Sequence, residues 1–287
     1  MPVSIRELPP DEFPPLLREI PDAPATLWLR GSLPPPGVKL LTVVGSRKYT
    51  PYGKAAVEKL IRGLAGYPVA VVSGLALGID SLAHEAALAA ELQTIAVPGS
   101  GLSPNALYPR AHLRLSERIL AAGGALLSEF PPEFRARPES FPQRNRIMAG
   151  MADAVLVVEA ALRSGTLVTA KLAVEYNREL LVVPGSIFSP NSFGPHLFLS
   201  LGAAPAATSA DVLKALRLEA RPSPAAERLA LTDAERRVLA ALCEPKTADD
   251  LAEELALPAR DANILLSALE LKGLIIGEFG KIRARDI

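Results

Sequence analysis

The chain has 287 residues, 31 basic and 31 acidic side chains and 49% hydrophobic residues. This is a globular composition with room for about two domains, and it excludes disordered and collagen-like chains. The single cysteine, Cys243, cannot close an intramolecular disulfide or build a Cys-rich metal site, and no stretch reaches the roughly 18 apolar residues of a membrane-spanning helix. The N-terminus, MPVSIRELPPDEFPP, interrupts every apolar run with proline or acid, so no secretion signal and no membrane contact is expected and the cytoplasm is the expected compartment. The zero net charge is uneven: residues 37–216 carry 17 basic against 13 acidic groups, and the blocks on either side are each net acidic. The middle block can offer a local cationic site to a polyanion, with ordinary solvated charge as the plainer alternative.

Residues 1–36 hold ten of the 27 prolines and read as a proline-rich N-terminal arm with only short structure, such as a strand from Thr26 to Arg30 ended by Gly31. From Lys39 onward short apolar runs alternate with helical stretches. The runs are LLTVV (40–44), VAVV (69–72), TIAV (94–97), ALLS (125–128), AVLVVEA (154–160) and LLVVP (180–184). Nearly continuous apolar segments are expected for strands covered on both faces. Helices are expected over 51–66, 79–91, 110–122, 142–151 and 166–178, the first capped by Thr50 with Pro51 at the first helical position. The class is α/β: an extended Rossmann-like, open, mostly parallel sheet with helices on both faces over residues 37–216. Residues 217–230 lose the periodicity and read as a linker. A small domain follows over 231–287: a helix opened by the Thr232/Glu235 capping box, a second capped by Thr247, and a third over 258–272 stopped by Gly273. A hairpin over 274–283 completes a winged-helix pattern.

In an open α/β sheet ligands bind beyond the carboxyl ends of the strands. Five of the six rims carry a glycine beside a serine: Gly45-Ser46-Arg47, Ser73-Gly74, Gly99-Ser100-Gly101, Ser164-Gly165-Thr166 and Gly185-Ser186. Bare N–H groups and hydroxyls make each a candidate anion cradle, although any one alone can be a tight turn. The segment Phe141-Pro142-Gln143-Arg144-Asn145-Arg146 places two arginines about Asn145 at the start of a helix, where dipole and guanidinium forks both favour phosphate. Surface ion pairs with Glu133 or Glu139 are the alternative. Phe134 and Phe141 flank these arginines and are candidate stacking surfaces for bases, against the plainer reading of core phenylalanines. No GxGxxG follows the first strand, and GxxxxGK[ST], GxSxG and HExxH are absent, so classical dinucleotide, Walker-type, hydrolase and zinc-protease sites lose support. Ser73, Asp80 and His84 suggest a triad, but Asp80 and His84 lie four apart on one helix face and can simply pair. No cofactor, metal or catalytic residue is expected. Several phosphate cradles with Arg47, Arg144 and Arg146 suit a chain of phosphates, and single-stranded nucleic acid fits best.

VVGSRKYTPYGKAAVEKL (43–60), VVSGLALGIDSLAHEAAL (71–88), TIAVPGSGLSPNALYP (94–109), LLSEFPP (126–132), FPQRNRIMAGMADAVLVVEA (141–160) and SGTLVTAKLAVEYNRELLVVPGS (164–186) occur in order over most of residues 40–205. In these segments the chain resembles the DNA-processing protein A family (DprA, also called Smf) of bacterial natural transformation. The resemblance implies an extended Rossmann fold that binds and protects single-stranded DNA and helps load the RecA recombinase, as a binding activity without turnover. It implies that Arg47, Arg144, Asn145 and Arg146 contact phosphates in a pocket lined by Gly45, Ser46, Ser73, Gly74, Gly99, Gly101, Ser164, Gly165 and Thr166. It also implies a homodimer formed through the Rossmann domain. Many members carry an N-terminal helical SAM-like domain, for which about 36 residues are too few. The winged-helix block is net acidic, and its third helix offers Arg260 beside Asp261 and then Lys272, which favours a protein-contact or stabilising role over duplex reading. The competing class is a nucleotide-processing enzyme similar to the lysine-decarboxylase-like phosphoribohydrolases. Its PGGxGTxxE glutamate is replaced here by Thr169, which leaves Glu159, at a strand end, as the carboxylate to test.

Overall fold

Alternating apolar runs and amphipathic stretches fold into the expected open α/β sheet, seen in a computed structural model that describes residues 4–219, 231–242, 246–272, 274–278 and 280–284. Cys243, Gly273 and linker residues 220–230 lie outside the described residues. Strands β1 (Ile5–Leu8), β2 (Leu27–Gly31), β3 (Lys39–Val44), β4 (Val69–Ser73), β5 (Thr94–Ala96), β6 (Ala125–Ser128), β7 (Ala154–Val157), β8 (Glu179–Val182) and β9 (Ala204–Pro205) form one sheet, ordered β1-β2-β6-β5-β4-β3-β7-β8-β9. Pairing is parallel from β6 through to β9, whereas β2 joins β6, and β1 joins β2, antiparallel.

Helices α1 (Pro51–Arg62), α2 (Ile79–Ala89) and α7 (Ser209–Ala215) cover one face, and α4 (Ser140–Met151), α5 (Thr166–Glu175) and α6 (Phe193–Ser200) cover the other. Helix α3 (Leu113–Ala121) packs near β5 and β6. Successive residues of one strand serve opposite cores: Val43 packs with Val57 and Ile79, while its neighbour Val44 belongs with Ile147 and Met148. This is why the strands read as unbroken apolar runs. Helix α1 begins as expected, with Thr50 Oγ1 accepting from Gly53 N–H at 3.1 Å and Pro51 in the first turn.

The proline-rich N-terminal segment, expected to be an extended arm, is built into the sheet and its core. Prolines limit it to two short strands and the 3-10 turns Pro10–Glu12 and Pro15–Glu19. Between them, Leu8, Phe13, Leu17 and Ile20 are buried in the same core as Ile147 and Met151, worth about 2 kcal/mol for each such side chain.

Contacts divide the chain into two units, Met1–Ala220 and Arg221–Ile287. The second contains α8 (Asp233–Ala241), α9 (Ala248–Glu254), α10 (Ala259–Leu271) and a hairpin of β10 (Ile275–Glu278) and β11 (Lys281–Ala284) around Val238, Leu251, Leu266 and Leu269. Capping boxes at Thr232/Glu235 and Thr247/Asp250 open its first two helices. Three helices and a two-stranded wing make the expected winged helix. Among the described residues no helix is long and apolar enough to cross a membrane.

From β3 the chain steps through β4, β5 and β6 to one side, then returns to place β7 on the other side of β3. The carboxyl ends of β3 and β7 therefore flank a topological switch point, where loops running in opposite directions leave a crevice.

Candidate nucleic-acid interface

A cleft of about 750 Å3 lies at this switch point. One wall is the turn after β3, with Gly45, Ser46 and Arg47; the opposite wall is Ser164, Gly165 and Thr166 at the start of α5; Arg144 and Asn145 of α4 lie between them. Ser164 Oγ lies 3.0 Å from Thr166 Oγ1 and accepts from Thr166 N–H at 3.3 Å. The positive end of α5 thus opens onto the cleft, a favourable place for an anion.

Arg47 is exposed, and its guanidinium carbon sits 5.6 Å from the centroid of the Phe141 ring. That ring is tilted against Tyr108, with centroids 5.8 Å apart. The cation rests on an aromatic face and keeps its donors available, close to a surface that a base can share. Lys48 and Arg163 are further exposed cations on the lining.

Arg144 has a different setting. Only 4% exposed, it donates from Nη1 to Gly74 O at 2.6 Å and to Val97 O, and from Nε to Asn145 Oδ1 at 3.2 Å. Burial lowers its pKa to about 10, against the raising effect of the Asp80 carboxylate, and nearby Arg47 lowers it further; it remains a cation at neutral pH. Burial pushes Asp80 up, opposed by Arg144, by the N–H groups of Ala76 and Gly74, and by Arg47. Gly74 allows this packing: a Cβ there would lie 2.3 Å from Arg144 Nη1 and 2.5 Å from Asp80 Oδ2. Asn145 Nδ2 reaches Gly165 O at 3.4 Å and joins α4 to the opposite wall. Gly99 gives clearance to Phe141, whose ring a Cβ would meet at 2.7 Å.

The structure thus brings together Gly45, Ser46, Arg47, Phe141, Arg144, Asn145, Ser164, Gly165 and Thr166. It places the remaining expected residues elsewhere. Ser73 is buried and donates to Val43 O at 2.6 Å, clamping β4 to β3. Gly101 donates its N–H to Phe134 O at 2.8 Å beneath the segment that follows β6. Arg146 points away from the cleft: Nη2 pairs with Glu129, and Nε lies 3.7 Å from Asp22. These carboxylates take the part that Glu133 or Glu139 was expected to play. Phe134 lies outside the cleft and stacks on Phe130, with centroids 4.4 Å apart. Gly185 is occupied by His196, whose Nε2 lies 3.0 Å from its carbonyl oxygen.

The triad suggested by Ser73, Asp80 and His84 does not form, and neither does the simpler Asp80–His84 pair. His84 is fully buried with Nδ1 2.7 Å from Thr94 Oγ1, while Asp80 turns to Ala76 N–H, in the loop before its own helix, and to Arg144. Glu159, the carboxylate that an enzyme would need, accepts from Thr50 N–H at 2.9 Å and from Thr50 Oγ1 at 2.5 Å. It serves as a brace for the start of α1. Tyr108 and Asn191 reach this rim without having been singled out; Tyr108 backs the Phe141 ring, and Asn191 comes from a distant loop to bond Lys48 O at 2.9 Å.

Comparison with known proteins places the chain in a family. A family model described as DNA recombination-mediator protein A matches residues 6–217, and one for the DprA winged helix domain matches residues 202–278. Protein Smf of Escherichia coli is 46% identical over 191 residues, covering 67% of this chain and 50% of the relative. The chain therefore spans about half of that relative's length. DNA processing protein DprA of Streptococcus pneumoniae is 42% identical over 203 residues, 71% of each chain, and its X-ray structure superposes with a TM-score of 0.68, covering 73% of this chain and 74% of that one at 38% identity. A Helicobacter pylori DNA processing protein A, described as having a unique single-stranded DNA binding mode, superposes with a TM-score of 0.65 at 28% identity, covering 75% of this chain and 96% of that one.

Proposed function

The chain belongs to the DNA recombination-mediator protein A family, and from that premise we propose that its switch-point cleft binds single-stranded DNA without sequence preference. In the same reading the protein protects the strand and helps load RecA recombinase onto it during natural transformation, acting in the cytoplasm as a homodimer formed through the Rossmann unit. The observation that carries the proposal is Arg47 laid on Phe141 at the mouth of a cleft floored by Arg144. A ring face and a free guanidinium side by side suit a base and its phosphate, whatever the base. The single-stranded DNA binding named for the Helicobacter pylori relative supports the same ligand.

Roles divide by exposure. Arg47, the N–H groups of Gly45, Ser46 and Gly165, and the Thr166 hydroxyl meet phosphates, while Arg144 and Asn145 hold the floor and add positive potential. Ser73, Gly74, Gly99, Gly101 and Arg146 position these groups. In the winged-helix unit, Lys272 Nζ bonds Glu235 Oε1 at 2.7 Å, which leaves helix α10 with Arg260 beside Asp261 as its cation, and supports a protein-contact or stabilising role over duplex reading. The engagement of Glu159 by Thr50 weighs against the nucleotide-processing alternative.

The test is a salt-dependent anisotropy titration of labelled poly-dT, with a matching duplex and nucleoside monophosphates as competitors. About four phosphate contacts give a slope of log K on log salt near about −3, and Arg47→Ala flattens it by about 0.7 with the fold intact. A folded Arg47→Ala protein with an unchanged slope, or mononucleotides that compete as well as the strand does, would remove the proposal.

A further inference from the structure

The arrangement at Phe141 occurs a second time. Arg47 lies 5.6 Å from the Phe141 ring, and Arg137 lies 5.7 Å from the Phe134 ring. Each ring is backed by another aromatic: Tyr108 behind Phe141, and behind Phe134 the buried Phe130, nearly parallel at an interplanar angle of 12°. Phe134 and Arg137 belong to the segment 129–139 that joins β6 to α4 and, unlike its Pro138, lie outside the cleft lining.

This segment lacks regular structure but is fixed to the rim at several points. Gly101 N–H donates to Phe134 O at 2.8 Å, and Ser103 N–H donates to Pro132 O at 3.0 Å. Ser140 Oγ donates to Gly99 O at 2.5 Å and accepts from Arg137 N–H at 3.1 Å. At the other end Glu129 is held by Arg146 and by Gln143, the latter at 3.3 Å. The same short turn, Gly99 to Gly101, thus lies between the two aromatic positions.

Glu133, Arg135, Arg137 and Glu139 are all exposed on this segment, and among the described residues no ion pair links them. Arg137 takes the ring face although two carboxylates lie close in sequence. A half-buried ring under a guanidinium offers a flat surface for a delocalised group, and every nucleobase has a matching face. Arg135 stands beside it as a cation without an ion-pair partner among the described residues.

We propose that Phe134 and Arg137 form a second base-stacking subsite for single-stranded DNA, which a strand reaches by leaving the cleft at Phe141 and crossing the Gly99–Gly101 turn. This rests on the cleft reading given above. A base takes the face of Phe134 that Arg137 covers, and Arg137 turns with Arg135 to the adjoining phosphates. Strands too short to span both positions use the cleft alone.

The experiment is anisotropy titration of the full chain with oligothymidylates of about 5 and about 20 nucleotides, lengths at the two ends of ordinary single-strand site sizes. Two variants are used: Phe134→Leu, which keeps apolar bulk over Phe130, and Arg137→Gln, an exposed change that leaves the fold intact. Expected are unchanged affinity for the short strand in both variants and a loss of about 5-fold or more for the long strand in Phe134→Leu. For the long strand only, Arg137→Gln flattens the salt slope by about 0.7. Wild-type affinity for the long strand in both variants, or an equal loss on both lengths, overturns the second subsite while leaving the cleft in place. Arg47→Ala separates the two failures: if it binds both lengths as the wild type does, the cleft reading falls and takes the second subsite with it.

Discussion

Replacing Arg144 by alanine separates a buried, structural arginine from the exposed arginine proposed to contact the ligand within one cleft. The side chain is 4% exposed and donates to two strand-end carbonyls, those of Gly74 and Val97, and to Asn145 Oδ1. Beside it stands the buried Asp80, whose charge Arg144 offsets. Alanine leaves both carbonyls without this donor and Asp80 without its cation. Removing one partner from a buried charged pair costs about 3–5 kcal/mol. For a chain of this size each kcal/mol shifts Tm by about 2–4 °C, so Arg144→Ala melts about 6–20 °C below wild type. Arg47→Ala, at an exposed position, moves stability by less than about 0.5 kcal/mol. Differential scanning fluorimetry of both variants, paired with the poly-dT titration, reads the two effects separately. An Arg144→Ala protein with the wild-type Tm would refute the assignment of this guanidinium to the floor of the fold, and would make it a contact residue like Arg47.

Other outcomes follow from the buried groups. Burial lowers the His84 pKa to about 3, with nearby His112 lowering it further, whereas the unfolded chain protonates near 6.5. Below about pH 6.5 the unfolded state therefore binds a proton that the folded state refuses, so stability falls as pH drops toward about 3. At pH 5 the difference is about 2 kcal/mol, read as the change in Tm between pH 7 and pH 5 in wild type against His84→Gln; an equal change in both removes His84 as the source. Asp80 and Glu129, both pushed up by burial, contribute with the opposite sign as they protonate, which is why the comparison uses the variant. Glu159→Gln removes a charge that accepts from two donors of Thr50, so it lowers stability by about 1–3 kcal/mol while leaving poly-dT affinity unchanged. A Glu159→Gln protein that is fully stable and has lost a nucleotide-cleaving activity would instead favour the enzyme.

How far the sequence led depends on the kind of signal. The strand runs, the Thr50 cap, the helix caps at Thr232 and Thr247 and the turns at Gly45 and Gly165 are local, and local chemistry placed them correctly. The N-terminal segment was harder to read, because prolines declare what a chain cannot form and say nothing of where Leu17 and Ile20 insert. The serine and glycine rims were ambiguous for a similar reason. Ser73 and Ser164 look alike in sequence, yet one hydroxyl is spent on Val43 O inside the sheet while the other faces the cleft. Only the strand order decides this, since it is the placement of β7 beside β3 that opens a crevice at two of the rims.

The same distinction explains the two arginines of FPQRNR. They stand two residues apart on a helix, about 200° around its axis, so they cannot both face one ligand. Arg144 turns in beneath the carboxyl ends of β4 and β5, while Arg146 turns to Glu129 and Asp22 on the far side. The motif is therefore a hinge post with a side chain on each side. Arg144 fixes the cleft floor, Arg146 fixes the start of the aromatic segment after β6, and Phe141, one turn earlier, carries the half-buried ring that Arg47 covers. On this geometry the arginine left to meet the proposed strand is Arg47, whose exposed guanidinium forms no ion pair among the described residues.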